Sequence, residues 1–215
     1  AEHYPMSAVV ENLRGLRSAL LVNSGAGHEA QPQVIVVCGP DRKSGKSLIA
    51  SNLAILYAKT GSNGSGRHVL LIDADLRNRS LTQAFGMADQ AGLSELLSNG
   101  LTANCFDRTE TALPVDFLPA GTPQPDTFEK LDSARTAQIL REARKKYQVI
   151  VVDTPAISDA ADAFVFAGLA DVTLTVARNR KTPKGRLIRT ISALARTETK
   201  KLHLILNSVE EADLK

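Results

Sequence analysis

The sequence predicts an α/β domain built on a mostly parallel central sheet covered by helices on both faces. Three observations carry that expectation. Apolar runs at 34–38, 69–72 and 149–152 are continuous rather than alternating, as in strands buried on both faces, and 172–176 and 202–206 look similar. Helical periodicity fills the intervals, at 46–59, 133–146, 160–169 and 184–196, the arrangement that leads from strand to crossover helix to parallel strand. Gly39, Asp73 and Asp153 each close one of the runs, at strand ends where open α/β sheets bind ligands.

In chain order, the N-terminal segment carries Val9, Leu13, Leu16 and Leu20 on one helical arc and Glu11, Arg14 and Arg17 on another. Strand 34–38 ends in Gly39-Pro40, and the helix that follows shows Leu48, Ile49, Leu53 and Leu56 at helical spacing until Gly61 stops it. Residues 61–66, rich in Gly and Ser, read as a flexible surface connection to strand 69–72. Near the C-terminus, Leu187, Ile188, Ile191 and Leu194 supply the apolar face of helix 184–196 before the last strand. With 215 residues, 43% of them hydrophobic, the chain is long enough for one well-buried core, so one domain is expected over 1–215, with an N-terminal helix in 1–28 and the core in 33–215.

Bulk properties narrow the function. The net charge is only +3, which argues against a general nucleic-acid binder, and the local basic stretch of Arg178, Arg180, Lys181, Lys184 and Arg186 reads as a solvated face. Cys38 and Cys105 form no disulfide framework, so the compartment reads as reducing and cytoplasmic; Cys38 belongs to an apolar run that would bury it as a small hydrophobe. Neither a bilayer-length apolar run nor a signal-peptide pattern is found. A start at Ala1 and a stop just after a strand suggest an excised piece of a longer protein.

The chemistry begins with Gly39-Pro40-Asp41-Arg42-Lys43-Ser44-Gly45-Lys46-Ser47, a loop between strand and helix. Gly-Lys-Ser opening a helix after a buried strand is the setting of a P-loop: backbone N–H groups and the helix dipole hold phosphates, the lysine bridges the outer ones and the hydroxyl binds Mg²⁺. The leading glycine of that pattern falls one residue early, at Gly39 rather than at Pro40. Asp73-Ala74-Asp75-Leu76-Arg77 and Asp153-Thr154-Pro155 follow two further strands. Carboxylates there can hold Mg²⁺ directly or through water, opposite Ser47, because Mg²⁺ prefers oxygen ligands and keeps several waters. The fold class is therefore a P-loop NTPase binding a nucleoside triphosphate with Mg²⁺.

Taken together, Gly45-Lys46-Ser47, Asp73/Asp75/Arg77 and Asp153-Thr154-Pro155 resemble the three nucleotide-site motifs of the bacterial tyrosine kinases that serve capsule and exopolysaccharide export. The similarity extends to Gly92-Leu93-Ser94 with Leu96-Leu97, to Leu118-Pro119-Ala120-Gly121, to Lys181-Thr182-Pro183-Lys184-Gly185, and to Glu11-x-x-Arg14-x-x-Arg17, which looks like the family's oligomerisation motif. In all it covers roughly residues 7 to 210.

The resemblance implies an ATP- and Mg²⁺-dependent protein-tyrosine kinase domain regulating polysaccharide assembly. Arg42, Lys43, Ser44, Gly45, Lys46, Ser47 and Leu48 would line the phosphates; Ser47, Asp75 and Asp153 would serve the metal; Lys46, Asp73 and Asp75 would be catalytic, with Asp73 as tyrosine base. Asn207, at the end of the last strand, sits where related P-loop ATPases contact adenine. Glu11, Arg14 and Arg17 would join copies into a ring. Implied partners are tyrosine-containing protein substrates and a membrane polysaccharide co-polymerase, or a severed membrane segment of the chain's own, at the inner face of the plasma membrane.

Two departures define the alternative. Lys43 stands where members usually carry glycine, which reaches positive φ more easily, though Arg42 and Lys43 bring charge suited to phosphate. No tyrosine cluster follows the last strand; the tyrosines are Tyr4, Tyr57 and Tyr147, the last two expected to pack inside. A degenerate scaffold in the same export machinery is the alternative reading. A partitioning-type ATPase fits less well, because Asp41 stands where those proteins carry an extra lysine.

Overall fold

A computed structural model describes residues 8–22, 33–59, 68–101, 106, 114–122, 127–131 and 133–210. The 61–66 connection, Tyr4, Cys105 and residues 23–28 of the expected N-terminal helix lie outside the described residues. Helix α1 (Ala8–Val22) precedes strand β1 (Gln33–Cys38), α2 (Lys46–Ala58), β2 (Val69–Asp73), α3 (Ser80–Ala84), α4 (Leu93–Asn99) and β3 (Asp116–Leu118). Then come α5 (Thr127–Lys130), α6 (Ser133–Lys146), β4 (Val149–Asp153), α7 (Asp162–Gly168), β5 (Val172–Arg178), α8 (Lys184–Leu194) and β6 (Leu202–Asn207).

The six strands form one sheet in the order β3-β2-β4-β1-β5-β6, and every neighbouring pair is parallel. Because side chains alternate along a strand, β1 feeds two cores. Val34, Val36 and Cys38 join Ile72, Val152 and residues of α4, α6 and α7; Ile35 and Val37 join Leu71, Val151 and residues of α1 and α2. Both faces of these strands are thereby dry, which is why β1, β2 and β4 show no polar alternation, while β5 buries Thr173 and Thr175 between its apolar residues. Cys38, Tyr57 and Tyr147 are all buried, as their apolar settings predict.

The last strand departs from expectation. Its run of leucines reads as a strand buried on both faces, yet Leu204 and Leu206 are each 51% exposed. Among the described residues β6 is the edge of the sheet, with a neighbouring strand on one side only. Helix α8 turns Thr190 and Leu194 inward, with Leu187 and Ile191 half-buried on the same i, i+3, i+4, i+7 arc. Ile188 falls off that arc and stays exposed. The sequence also concealed β3 and α3 to α5, elements of three to seven residues, too short to display a period.

One polar node ties the two ends of β1 and β5 to the outside. Asp171 Oδ2 accepts the backbone N–H of Val34 at 2.8 Å and Arg144 Nη2 at 2.6 Å, while Oδ1 accepts Lys200 Nζ at 2.6 Å. Partial burial pushes the carboxyl upward, but the Lys200, Val34 and Arg144 donors outweigh it and hold the group below its ordinary value of 3.8. A depressed carboxylate contributes stability above its unfolded value, and that contribution disappears as pH falls through the folded one. Asp171→Asn should therefore lower stability by about 1–2 kcal/mol at neutral pH, with the difference from wild type closing below pH 3.8. Thermal unfolding of both proteins at pH 7 and pH 3 checks this, and an equal gap at both pH values would count against it.

Candidate active site

The sheet register assembles the site. Asp73 of β2 lies abreast of Asp153 of β4, and Asp153 is abreast of Val37 of β1, two residues before the loop that leads to Lys46. Three strand ends, β2, β4 and β1, thus deliver the two aspartates and the loop to one edge of the sheet, the carboxyl end where such folds bind ligands.

The 39–45 loop is held on every side. Gly39 O accepts the N–H of Ile157 at 3.0 Å and Pro40 O that of Ser158 at 3.2 Å, so the loop after β4 braces it. Gly39 itself passes so close to β5 that a Cβ there would stand 2.4 Å from Val176 O. That contact explains a glycine one position ahead of the usual pattern. Lys43 adopts φ 57° and Gly45 φ 97°. The lysine therefore takes up the left-handed conformation that its missing glycine would have eased, at a cost of about 1–2 kcal/mol.

Side chains complete the frame. Arg42 is ion-paired with Asp159, and Arg186, from the first turn of α8, with Asp41. Arg42 is thus engaged with a carboxylate. Lys46 Nζ donates to Asp41 O at 3.0 Å, closing the loop on itself; burial pulls its pKa down, and Asp153 and Asp75 offset part of that. Leu48 is 58% exposed on the first turn of α2.

The carboxylates are positioned differently from one another. Asp73 is fully buried and accepts three donors: the Asp75 N–H at 3.1 Å on Oδ1, and the Thr82 N–H at 2.9 Å and hydroxyl at 2.8 Å on Oδ2. The same Thr82 oxygen accepts the Ala120 N–H at 2.8 Å, linking β2, α3 and the end of β3. Burial raises the Asp73 pKa, and these bonds counter it. Asp75 accepts the N–H of Asn78 at 3.0 Å and its side-chain amide at 2.9 and 3.1 Å. The sequence reading did not single out Asn78, although it stands only three residues from Asp75. Thr82, nine residues from Asp73, left no local signal, and neither did Asp159 or Arg186.

Asp153 stands apart. It is fully buried, and among the described residues no donor, the nearby Ser47 hydroxyl included, meets hydrogen-bond geometry at either carboxylate oxygen. Burial pushes its pKa up to about 8, against the nearby Ser47 hydroxyl and Lys46 charge, which favour ionisation. Ser44 Oγ in the loop is likewise buried without a partner. Unmatched buried polar atoms cost stability and call for a ligand. An anionic, Mg²⁺-bearing group fits this donor set: backbone N–H groups at the start of α2, the Lys46 ammonium, the Ser47 hydroxyl and an orphaned carboxylate. Among the described residues no three His, Cys, Asp or Glu side chains cluster tightly enough to hold a metal alone. Mg²⁺ would then complete its shell with water and phosphate oxygens.

A raised carboxyl has the opposite linkage to Asp171: its contribution is full below 3.8 and lost as pH rises to about 8. The ligand-free wild type should therefore lose stability across that range relative to Asp153→Asn. The same variant should bind nucleotide with little or no enhancement by Mg²⁺. Thermal unfolding against pH and calorimetry with and without Mg²⁺ measure the two effects, and parallel pH curves together with an intact Mg²⁺ effect would refute the assignment.

No family model matches the chain. Among known proteins, it is similar to EpsB of Ralstonia solanacearum, 31% identical over 210 residues, which are 98% of this chain and 27% of that protein. Tyrosine-protein kinase YwqD of Bacillus subtilis is 30% identical over 203 residues, 94% of this chain and 82% of YwqD. In structure, the BceF tyrosine kinase domain superposes with a TM-score of 0.75 at 33% identity, over 93% of this chain and 78% of that domain. A Pyrococcus horikoshii septum site-determining protein MinD solved with Mg-ADP, at 20% identity and a TM-score of 0.67 over 84% of this chain and 73% of that one, shows the shared P-loop fold alone. The chain spans about a quarter of EpsB and most of YwqD. It belongs to the family of bacterial tyrosine kinases.

Proposed function

We propose that this chain is an ATP- and Mg²⁺-dependent protein-tyrosine kinase domain that regulates exopolysaccharide or capsule biosynthesis and export. The observation that carries the reading is the orphaned, fully buried Asp153 beside Lys46 and Ser47, where the 39–45 loop enters α2. Phosphoryl transfer needs positioning and charge neutralisation more than covalent chemistry, and these groups supply both. Mg²⁺, when bound, neutralises charge developing on the phosphates.

The residues divide the remaining work. Lys46, released from Asp41 O, reaches the outer phosphates, and the N–H groups of residues 44–47 hold the rest. The Asp73/Asp75 pair removes the proton from the acceptor tyrosine, whose hydroxyl has an unperturbed pKa near 10. Asp73 can act as that base once the Thr82 hydroxyl turns away from Oδ2, and Asp75 once the Asn78 amide turns away from its own Oδ2. The kept shape of the loop, with Lys43 at positive φ, favours an enzyme over a scaffold.

Assembly follows from α1. Val10, Leu13 and Leu20 are buried on its inner side, while Glu11 and Arg14 are exposed and paired with each other. Arg17 donates to Leu56 O at 3.3 Å and so also fastens α1 to α2. In a homo-oligomeric ring, Glu11 and Arg14 exchange their internal pair for pairs with a neighbouring copy. The domain works at the inner face of the plasma membrane, beside a membrane co-polymerase or a membrane segment of its own chain; no helix among the described residues is long and apolar enough to cross a bilayer.

Lys46→Met decides the catalytic reading. Mg·ATP binding by calorimetry and labelling of a tyrosine-containing peptide should both fall at least about tenfold, as expected from losing a charge-assisted phosphate contact; undiminished labelling would defeat it. Glu11→Ala with Arg14→Ala should shift any oligomer toward monomer by light scattering, and an unchanged mass would remove α1 from the interface.

A further inference from the structure

We propose that Asn207 is a positioning residue that clamps the phosphate loop in its binding shape from the end of β6, and does so before any nucleotide arrives. The inference rests on the reading of residues 39–47 as a phosphate cradle and assigns the residue a role other than a base contact.

The Asn207 amide is engaged at both ends. Nδ2 donates to Ser44 O at 2.8 Å, across 163 positions of sequence, and Oδ1 accepts the N–H of Ser208 at 2.8 Å. The second bond fixes which end of the amide faces the loop, and Ser208 adopts φ 59° to make it. Asn207 is itself anchored, since its carbonyl accepts the Asn179 N–H at 2.8 Å at the end of β5. The contact is close enough to select the next residue in the loop: a Cβ on Gly45 would lie 2.2 Å from Asn207 Nδ2. Gly45 is therefore required both by φ 97° and by the amide lying against it.

The consequence is mechanical. Ser44 and Gly45 precede Lys46 and Ser47, and the orientation of the Ser44–Gly45 peptide determines where the following N–H groups point. A loop carrying lysine at positive φ instead of glycine stores strain at position 43, and a bond at Ser44 O is placed to hold it. β6, an edge strand with one open side, thereby reports directly to the nucleotide site.

The experiment compares wild type with Asn207→Ala in three measurements. In the ligand-free proteins, hydrogen exchange over residues 41–47 should quicken in the variant while the core strands keep their protection; unchanged exchange in the loop overturns the clamp. Calorimetry with Mg·ATP and with Mg·tripolyphosphate, which lacks a base, should show losses of similar size, about three- to tenfold, the weight of one hydrogen bond. Loss of ATP affinity with tripolyphosphate unaffected would make Asn207 a base contact and overturn the proposal. Should Asn207→Ala not fold, Asn207→Ser, whose hydroxyl is too short to reach Ser44 O, replaces it. If wild type binds no Mg·ATP at all, the kinase reading fails, while the exchange measurement still decides the clamp.

Discussion

The buried carboxylate of Asp153 is the constraint around which the rest is arranged. A parallel sheet with both faces covered leaves its strand ends as the only polar edge, and the β2–β4–β1 register brings two aspartates and a loop to that edge together. Asp73 meets its solvation debt with three donors from the protein. Asp153 does not, and burial keeps it largely protonated near neutrality. A fold that retains such a group is less stable than it could be, and in the proposed kinase a bound cation would take the place of the missing donors.

The loop facing Asp153 is held by the opposite strategy, an excess of contacts. Its carbonyls are met by the 157–158 backbone, by Lys46 and by Asn207, and its side chains by Asp159 and Arg186. Backbone N–H groups bind phosphate well only when they already point inward, since ordering them at the moment of binding would consume affinity. The substitution of lysine for glycine at position 43 fits this logic: strain at one residue is tolerated where the surroundings over-determine the conformation.

How much was legible in the sequence follows from the same physics. Strands β1, β2 and β4 announced themselves because full burial makes a strand nearly uniformly apolar, and the aspartates that close β2 and β4 stood out against that background. β6 misled for the same reason, its leucines imitating a central strand while lying at an edge. The three phosphate-loop residues Gly45, Lys46 and Ser47 were readable because they are contiguous. The residues that position them, Thr82, Asp159, Arg186 and the loop-facing role of Asn207, are separated by long stretches of chain and become neighbours only through the parallel crossovers. No period or spacing records that.

The two classes of residue are also exposed to different risks. A change at Lys46 or Asp153 acts chiefly on what the site can bind, although the empty protein also registers the loss of Asp153 through its pH-dependent stability. A change at Asn207 or Thr82 alters where those charges point, and the protein carries the defect in its empty state. The ion pairs Arg42–Asp159 and Arg186–Asp41 lie at the surface, where water and salt weaken them, so they tune the loop less than the buried amide and hydroxyl bonds do. The geometry of this site is therefore set chiefly by uncharged donors: Asn207, Thr82 and the backbone.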